Sequence, residues 1–254
     1  MIEIEHLEKR FGNFQAVSDL NLKVNRGEVF GFLGPNGAGK TTTMKIMVGL
    51  MNPTRGRVRI GGIDVQQEPV RAKQKMGYIP DRPFLYEKLS GHEFLSFMAG
   101  VYSMKGKVGG DRAEELLSLF ELLPWADELV ESYSHGMKQR LVMAAAILHR
   151  PEVVVVDEPM VGLDPRGAAL VKNLFRQLCR DDAGTVFLST HTLEVAEELC
   201  DRVAILQRGR VIAQGTMEQL RQQTGNDGSG RLQEMFLQLT DPEKSVAAGA
   251  GATL

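Results

Sequence analysis

The sequence predicts an α/β protein in which a mostly parallel sheet is covered by helices. Three observations lead there. From about residue 150 onward, apolar runs at 153–156, 185–189 and 203–206 alternate with amphipathic runs at 168–179 and 193–199. That order suits strands that return in parallel through crossover helices. Val153, Val154, Val155 and Val156 form a run with no polar face, as a strand buried on both sides requires. Third, Gly34-Pro35-Asn36-Gly37-Ala38-Gly39-Lys40-Thr41 fits G-x-x-x-x-G-K-[ST], a loop that wraps a polyphosphate between a strand and a helix.

The elements follow in order along the chain. Residues 1–30 alternate like half-exposed strands, first Ile2 and Ile4, then Leu20, Leu22 and Val24. Gly27-Glu28 turns into a short buried strand over 29–33, which enters the loop. Residues 41–50 then put Met44, Met47, Val48 and Leu50 on one helical face. Strand signals return at 56–60, closed by Gly61-Gly62, and at 76–79. From 84 to 131 the spacing is helical: Phe94, Leu95, Phe97 and Met98, a loop around 105–110, then Leu116, Leu117, Phe120 and Leu123. Ser134 stands where an N-cap would precede an apolar helix. Residues 222–230, rich in Gly, Asn, Asp and Ser, predict a linker. Leu232, Met235, Phe236 and Leu239 predict a short helix over 231–241, and the Ala/Gly-rich stretch 242–254 a disordered tail.

Composition narrows the function. With 254 residues, 43 % of them hydrophobic, the chain can fill one large α/β domain with small lobes. A formal charge of −2 offers no broad footprint for nucleic acid. The start, Met1-Ile2-Glu3-Ile4-Glu5-His6, is acidic where a signal peptide is basic. The longest apolar stretch, 141–148, falls far short of the roughly 20 residues that span a bilayer. Cys179 and Cys200 form no C-x-x-C and are expected as buried thiols in a reducing cytoplasm. Any membrane role is therefore expected to come through a partner.

The loop carries its own chemistry. Its glycines bring backbone N–H groups close to anionic oxygens, and Lys40 reaches the β- and γ-phosphates. Thr41 can ligate Mg²⁺ through its hydroxyl, and Thr42 continues the first helical turn. The valine strand ends in Asp157-Glu158. Ligands of open α/β sheets lie beyond the carboxyl ends of strands, so these two acids face the same region. Asp157 is the natural Mg²⁺ partner, and Glu158 is placed to orient or deprotonate an attacking water.

With these residues in view, the chain resembles the nucleotide-binding subunit of an ATP-binding-cassette (ABC) transporter over about residues 2–221. Tyr133-Ser134-His135-Gly136-Met137 stands where the family carries its Leu-Ser-Gly-Gly-Gln signature. Ser134 and Gly136 match it, whereas Tyr133, His135 and Met137 depart. Gly162-Leu163-Asp164 resembles the D-loop, Ser189-Thr190-His191 the switch histidine, and Phe11 the aromatic residue that stacks on adenine. Each also has a plainer role: Ser134 caps a helix, Phe11 belongs to a core, and Asp81 begins a turn. Asp81 stands where the family has a Gln near Mg²⁺ and water, and it too can ligate the metal.

The resemblance implies a P-loop NTPase (RecA-like) core with a mostly parallel sheet. An N-terminal antiparallel β lobe, from about 1–30 and 56–80, and an inserted helical lobe, about 84–133, complete a domain over 1–221. It implies ATP and Mg²⁺ as ligands and Glu158 and His191 as catalytic residues. Ser134, His135, Gly136 and Met137 would act in trans, in a head-to-tail dimer with a second copy or a homologous subunit. It further implies a separate membrane permease docked near 81–89 and 94–102, a place on the cytoplasmic face of the membrane, and export as the direction of transport. A soluble ABC-type ATPase in cofactor assembly, or a non-catalytic ATP clamp, would carry the same loop.

Overall fold

The computed structural model describes residues 1–82, 84–104, 106–180, 184–224 and 232–240. The chain opens with β1 (Ile2–Phe11), β2 (Phe14–Val24), β3 (Val29–Leu33), α1 (Lys40–Met47), β4 (Arg55–Ile60), β5 (Ile63–Asp64), α2 (Pro69–Gln74) and β6 (Met76–Ile79). A helical stretch follows: α3 (Gly91–Val101), α4 (Gly106–Leu119) and α5 (His135–Ile147). The remainder is β7 (Val153–Asp157), α6 (Pro165–Arg180), β8 (Thr185–Thr190), α7 (Leu193–Leu199), β9 (Arg202–Gln207), β10 (Arg210–Gly215), α8 (Met217–Thr224) and α9 (Leu232–Thr240).

Two sheets result. The first is antiparallel, in the order β2-β1-β4-β5. Its alternation buries Ile2, Ile4, Leu22, Val24, Val58 and Ile60 on one face. The second has the order β10-β9-β3-β8-β7-β6, and every pair in it is parallel except β9 with β10. The predicted α/β class, with its antiparallel lobe and mostly parallel sheet, is the observed one, but β6, expected within the antiparallel lobe at about 56–80, pairs in parallel with β7 instead. β10 was not anticipated: only Ala213 and Gly215 of its six residues are buried, so an edge strand left little apolar signal.

The central strands feed two cores. Val29 and Leu33 of β3, Val154 and Val156 of β7, and Val186 and Leu188 of β8 join the helices α3 to α7. Phe30, Phe32, Val153, Val155 and Phe187 face the other way, toward the antiparallel sheet and α1. That two-sided burial is why β7 has four valines in succession. Each such side chain contributes about 1.5–3 kcal/mol when fully buried.

The loop expected around 105–110 is helical from Gly106, while residue 105 lies outside the described residues. Glycines argue for a loop on propensity alone. Here Gly109 is buried against α3, with room for no more than close contact: a β-carbon on it would lie 3.2 Å from Ala99 Cβ. Tertiary packing overrides propensity. α8 also runs on through Gln222, Gln223 and Thr224, three residues into the predicted linker. Glutamine is a good helix former. The rest of that linker and the predicted tail lie outside the described residues.

Candidate active site

β3, β7 and β8 run parallel and end at the same edge, so their last residues meet. Beyond β3 the chain makes the loop 34–39 and enters α1. Gly37 and Gly39 take φ of 79° and 106°, and a β-carbon at Gly39 would lie 2.5 Å from the Ala16 carbonyl. Only glycine suits that turn. No side chain caps α1, so the loop leaves first-turn amides for an external anion. Pro35, Asn36 and Gly37 are exposed, Ala38 is buried, and Gly34 sits beneath them.

Lys40 is only 7 % exposed. Its ammonium folds back to donate to the Gly34 carbonyl at 2.7 Å and the Pro35 carbonyl at 3.3 Å. Burial lowers its pKa, opposed by the negative charges of Glu158 and Asp157. A polyphosphate would offer this cation far better partners than two carbonyls. Thr41 Oγ1 donates to Asp157 Oδ2 at 3.2 Å, joining the loop to the end of β7. The Thr43 hydroxyl returns to Gly39 O at 2.9 Å and fixes the turn.

Asp157 is 3 % exposed, and burial raises its pKa. Two hydroxyls offset this: Ser189 donates to Oδ1 at 2.7 Å and Thr41 to Oδ2. Glu158 follows with φ 52°, a left-handed turn that swings the chain off the strand. Its carboxylate makes three contacts. Oε1 accepts from His191 N at 3.0 Å and pairs with His191 Nδ1 at 2.7 Å, while Oε2 accepts from Thr190 Oγ1 at 3.2 Å.

Ser189 and Thr190 hydrogen-bond to Asp157 and Glu158, and sequence reasoning passed over them in favour of His191. The available signal was two hydroxyl residues at the end of an apolar strand. Their value depends on the register Asp157 to Ser189, which places one hydroxyl beside each carboxylate. Lys9 is a second omission. Its ammonium lies 5.1 Å from the centre of the Phe11 ring, held by the Asn52 carbonyl at 2.8 Å. Phe11 ends β1, stands 47 % exposed and pairs across the hairpin with Phe14.

Other candidates lie apart from this cluster. Ser134 caps α5, accepting from Met137 N at 3.3 Å, and is exposed together with His135. Gly136 and His135 abut Gly162 of the segment after Glu158. Asp164 caps α6 by accepting from Gly167 N at 2.8 Å. Tyr133 is buried, with its hydroxyl donating to the Trp125 carbonyl at 2.7 Å. Among the described residues, no hydrogen bond joins 133–137 to the loop at 34–42. Asp81 is exposed, yet its charge helps raise the pKa of Asp157 and of Tyr78, the latter to about 12 with burial as the main cause.

This constellation, a phosphate loop joined to a strand-end aspartate with a glutamate and a histidine beside it, belongs to nucleotide-hydrolysing α/β proteins. The ABC transporter family model matches residues 17–161. The daunorubicin resistance ATP-binding protein DrrA3 of Streptomyces coeruleorubidus is 40 % identical over 226 residues, 89 % of this chain and 71 % of that protein. An ATP-binding subunit of an ABC transporter superposes with a TM-score of 0.89 at 34 % identity, covering 94 % of this chain and 99 % of that one. The ATP-binding cassette MJ0796, solved as a dimer in a post-hydrolysis state with ADP and Pi, gives 0.78 at 27 % identity over 85 % of this chain and 99 % of that one. The chain belongs to the ABC transporter family. Within it, the chain is an ATP-binding and ATP-hydrolysing subunit.

Proposed function

We propose that this ATPase works as one half of a head-to-tail dimer and drives export through a separate membrane permease. One observation carries the dimer: the phosphate chemistry is divided. Lys40, Thr41, Asp157, Glu158 and His191 converge, while Ser134 and Gly136 present a second helix N-terminus elsewhere on the surface. A twofold pair of chains would bring each loop opposite the partner's Ser134 and build two sites.

In each site Phe11 stacks on adenine, the 34–39 amides and Lys40 hold the β- and γ-phosphates, and Thr42 extends the same turn. The donor set at Thr41 and Asp157 consists of hard oxygens beside the phosphate loop, which fits Mg²⁺. Asp81 is a further oxygen donor whose charge already reaches Asp157. Bound there, Mg²⁺ supplies charge neutralisation for the phosphates. Glu158 accepts the proton of the attacking water as its oxygen bonds to the γ-phosphorus and the bond to the β-phosphate oxygen breaks. His191 gives Nδ1–H to Glu158, so its Nε2 can donate to the γ-phosphate only when the ring is doubly protonated. Asp164 aligns the segment that leads from Glu158 to the dimer interface.

A groove of about 510 Å³ supports the permease reading. It is lined by Tyr78, Phe84, Tyr86, Phe94, Phe97 and Val101, and the Tyr86 ring meets those of Phe84, Phe94 and Phe97 at 5.3 to 6.4 Å. Phe84 is 82 % exposed, a large apolar surface to leave in water. No helix among the described residues is long and apolar enough to cross a membrane, so the groove suits an apolar helical end supplied by another protein. The resistance named in DrrA3 supports export.

Glu158→Gln tests the core of this reading. Turnover should fall by about 10²–10⁴-fold, as expected for loss of a general base. With ATP, the variant should elute at twice the monomer mass in size exclusion with light scattering. Wild type and variant that are equally inactive, or a variant that stays monomeric with ATP, would overturn it.

A further inference from the structure

His135 stands at the first helical position of α5, inside the segment that meets the partner's ATP, and it replaces a glycine of the family signature. Its ring does not simply project into solvent. A β-carbon built on Gly162 would lie 2.2 Å from His135 Cδ2 and 2.5 Å from Nε2, closer than any real contact. The imidazole therefore rests on the bare Cα of Gly162, in space that any side chain there would claim. The next residue reinforces the contact, since a β-carbon on Gly136 would lie 3.4 Å from the Gly162 carbonyl.

Gly162 belongs to a short, tightly wound path. Glu158 turns with φ 52°, and its carbonyl accepts from Val161 N at 3.3 Å. Leu163 N donates to Met160 O at 3.3 Å, and Gly162 itself has φ 79°. Asp164 then caps α6. Two successive turns thus join the catalytic carboxylate to α6, and His135 bears on the middle of them. A shift of the α5 N-terminus that carries the ring with it bears directly on Gly162.

We propose that His135 is a positioning residue that links the two ATP sites of the dimer through Gly162. This rests on the head-to-tail reading above. In that arrangement the α5 N-terminus serves the ATP held by the partner, whereas Glu158 serves the ATP of its own loop. The contact of His135 with Gly162 therefore connects one site to the base of the other within a single subunit. Closure of Ser134 and Gly136 on one γ-phosphate presses His135 onto Gly162 and sets the placement of Glu158 at the second.

Mixed dimers with a single competent site separate this from a direct phosphate contact. Two differently tagged full-length chains are combined with ATP, the first carrying Glu158 and the second Glu158→Gln. The live site then uses the first chain's Glu158 and the second chain's signature. His135→Gly in the first chain, whose own signature faces the dead site, should lower kcat at the live site by about 2- to 30-fold with KM for ATP little changed. His135→Gln, which keeps a planar group over Gly162, should restore most of it. In the second chain the same His135→Gly should have the smaller effect. Loss only from the second chain would make His135 a direct phosphate ligand and overturn the link. Equal loss from both, or loss from neither, would overturn it as well. Failure of the chains to dimerise with ATP is a different result: it removes the head-to-tail reading, and the link falls with it.

Discussion

Ser189 shows how a neutral hydroxyl governs a carboxylate. Asp157 sits almost without solvent, and burial alone would favour its protonated form. The Ser189 hydroxyl, 2.7 Å from Oδ1, holds the charge that a hard cation needs. Ser189→Ala should therefore cost about tenfold in turnover, the scale of one hydrogen bond to a charged group. Removing the donor raises the Asp157 pKa further, so loss of activity on acidification should begin at a higher pH. A pH–rate profile whose acid limb moves to higher pH in the variant checks it, and an unchanged acid limb would refute it. Lys40, Thr41, Asp157 and Glu158 were legible because loop spacing and a strand-end position are local patterns. Ser189 was not, because its partner is fixed by the pairing of β7 with β8. The contact of His135 with Gly162 was hidden for the same reason, since it joins distant parts of the chain.

Three elements meet at His149, just past the end of α5. Its ring stacks on Tyr102 at the end of α3, with centroids 3.6 Å apart, and its Nε2 lies 3.0 Å from the Met76 carbonyl of β6. Burial pushes its pKa down to about 4, and Nδ1 is buried with no partner. The unfolded chain therefore takes up this proton before the folded one does. Stability should fall as pH drops from about 6.5 to about 4, and be unaffected by this group above that window. Partial exposure screens the cost to about 1–2 kcal/mol. Urea unfolding of wild type and His149→Gln at pH 7 and pH 4.5 tests this, the variant being expected to lose less on acidification. A wild-type slope in the variant would exclude His149 as the source. The existence of α3, α5 and β6 was readable from periodicity, whereas their junction was not. Ser90 opens α3 with a capping box to Glu93, a Ser-x-x-Glu spacing that was legible in the sequence and was passed over.

The aromatic groove depends on the assembled shape, although Tyr78 at one end of it lies near enough to Asp157 to feel its charge. Its lining comes from the turn after α1, α2, β6, the segment before α3, α3 with its last turn, and α5, so no single stretch announces it. Phe97→Asp should detach the chain from membranes of cells that contain the permease, measured by fractionation. Its unfolding midpoint should stay within a few degrees of wild type, because Phe97 is already 46 % exposed. Retention on membranes would remove the groove from the docking surface. The fold class itself was the most legible property, since alternating strands and helices and an all-valine strand admit few arrangements.

β7 also has a consequence for how such a chain can change. Its odd valines, Val153 and Val155, belong to the core beside the antiparallel sheet, and its even ones, Val154 and Val156, to the core beneath the helices. Remodelling on the helical side reaches the strand through the even set, and remodelling on the side of the antiparallel sheet through the odd one. Asp157, at the tip, inherits disturbances from both. The strand is thus a shared axle: either lobe can diversify freely only while it leaves that axle true.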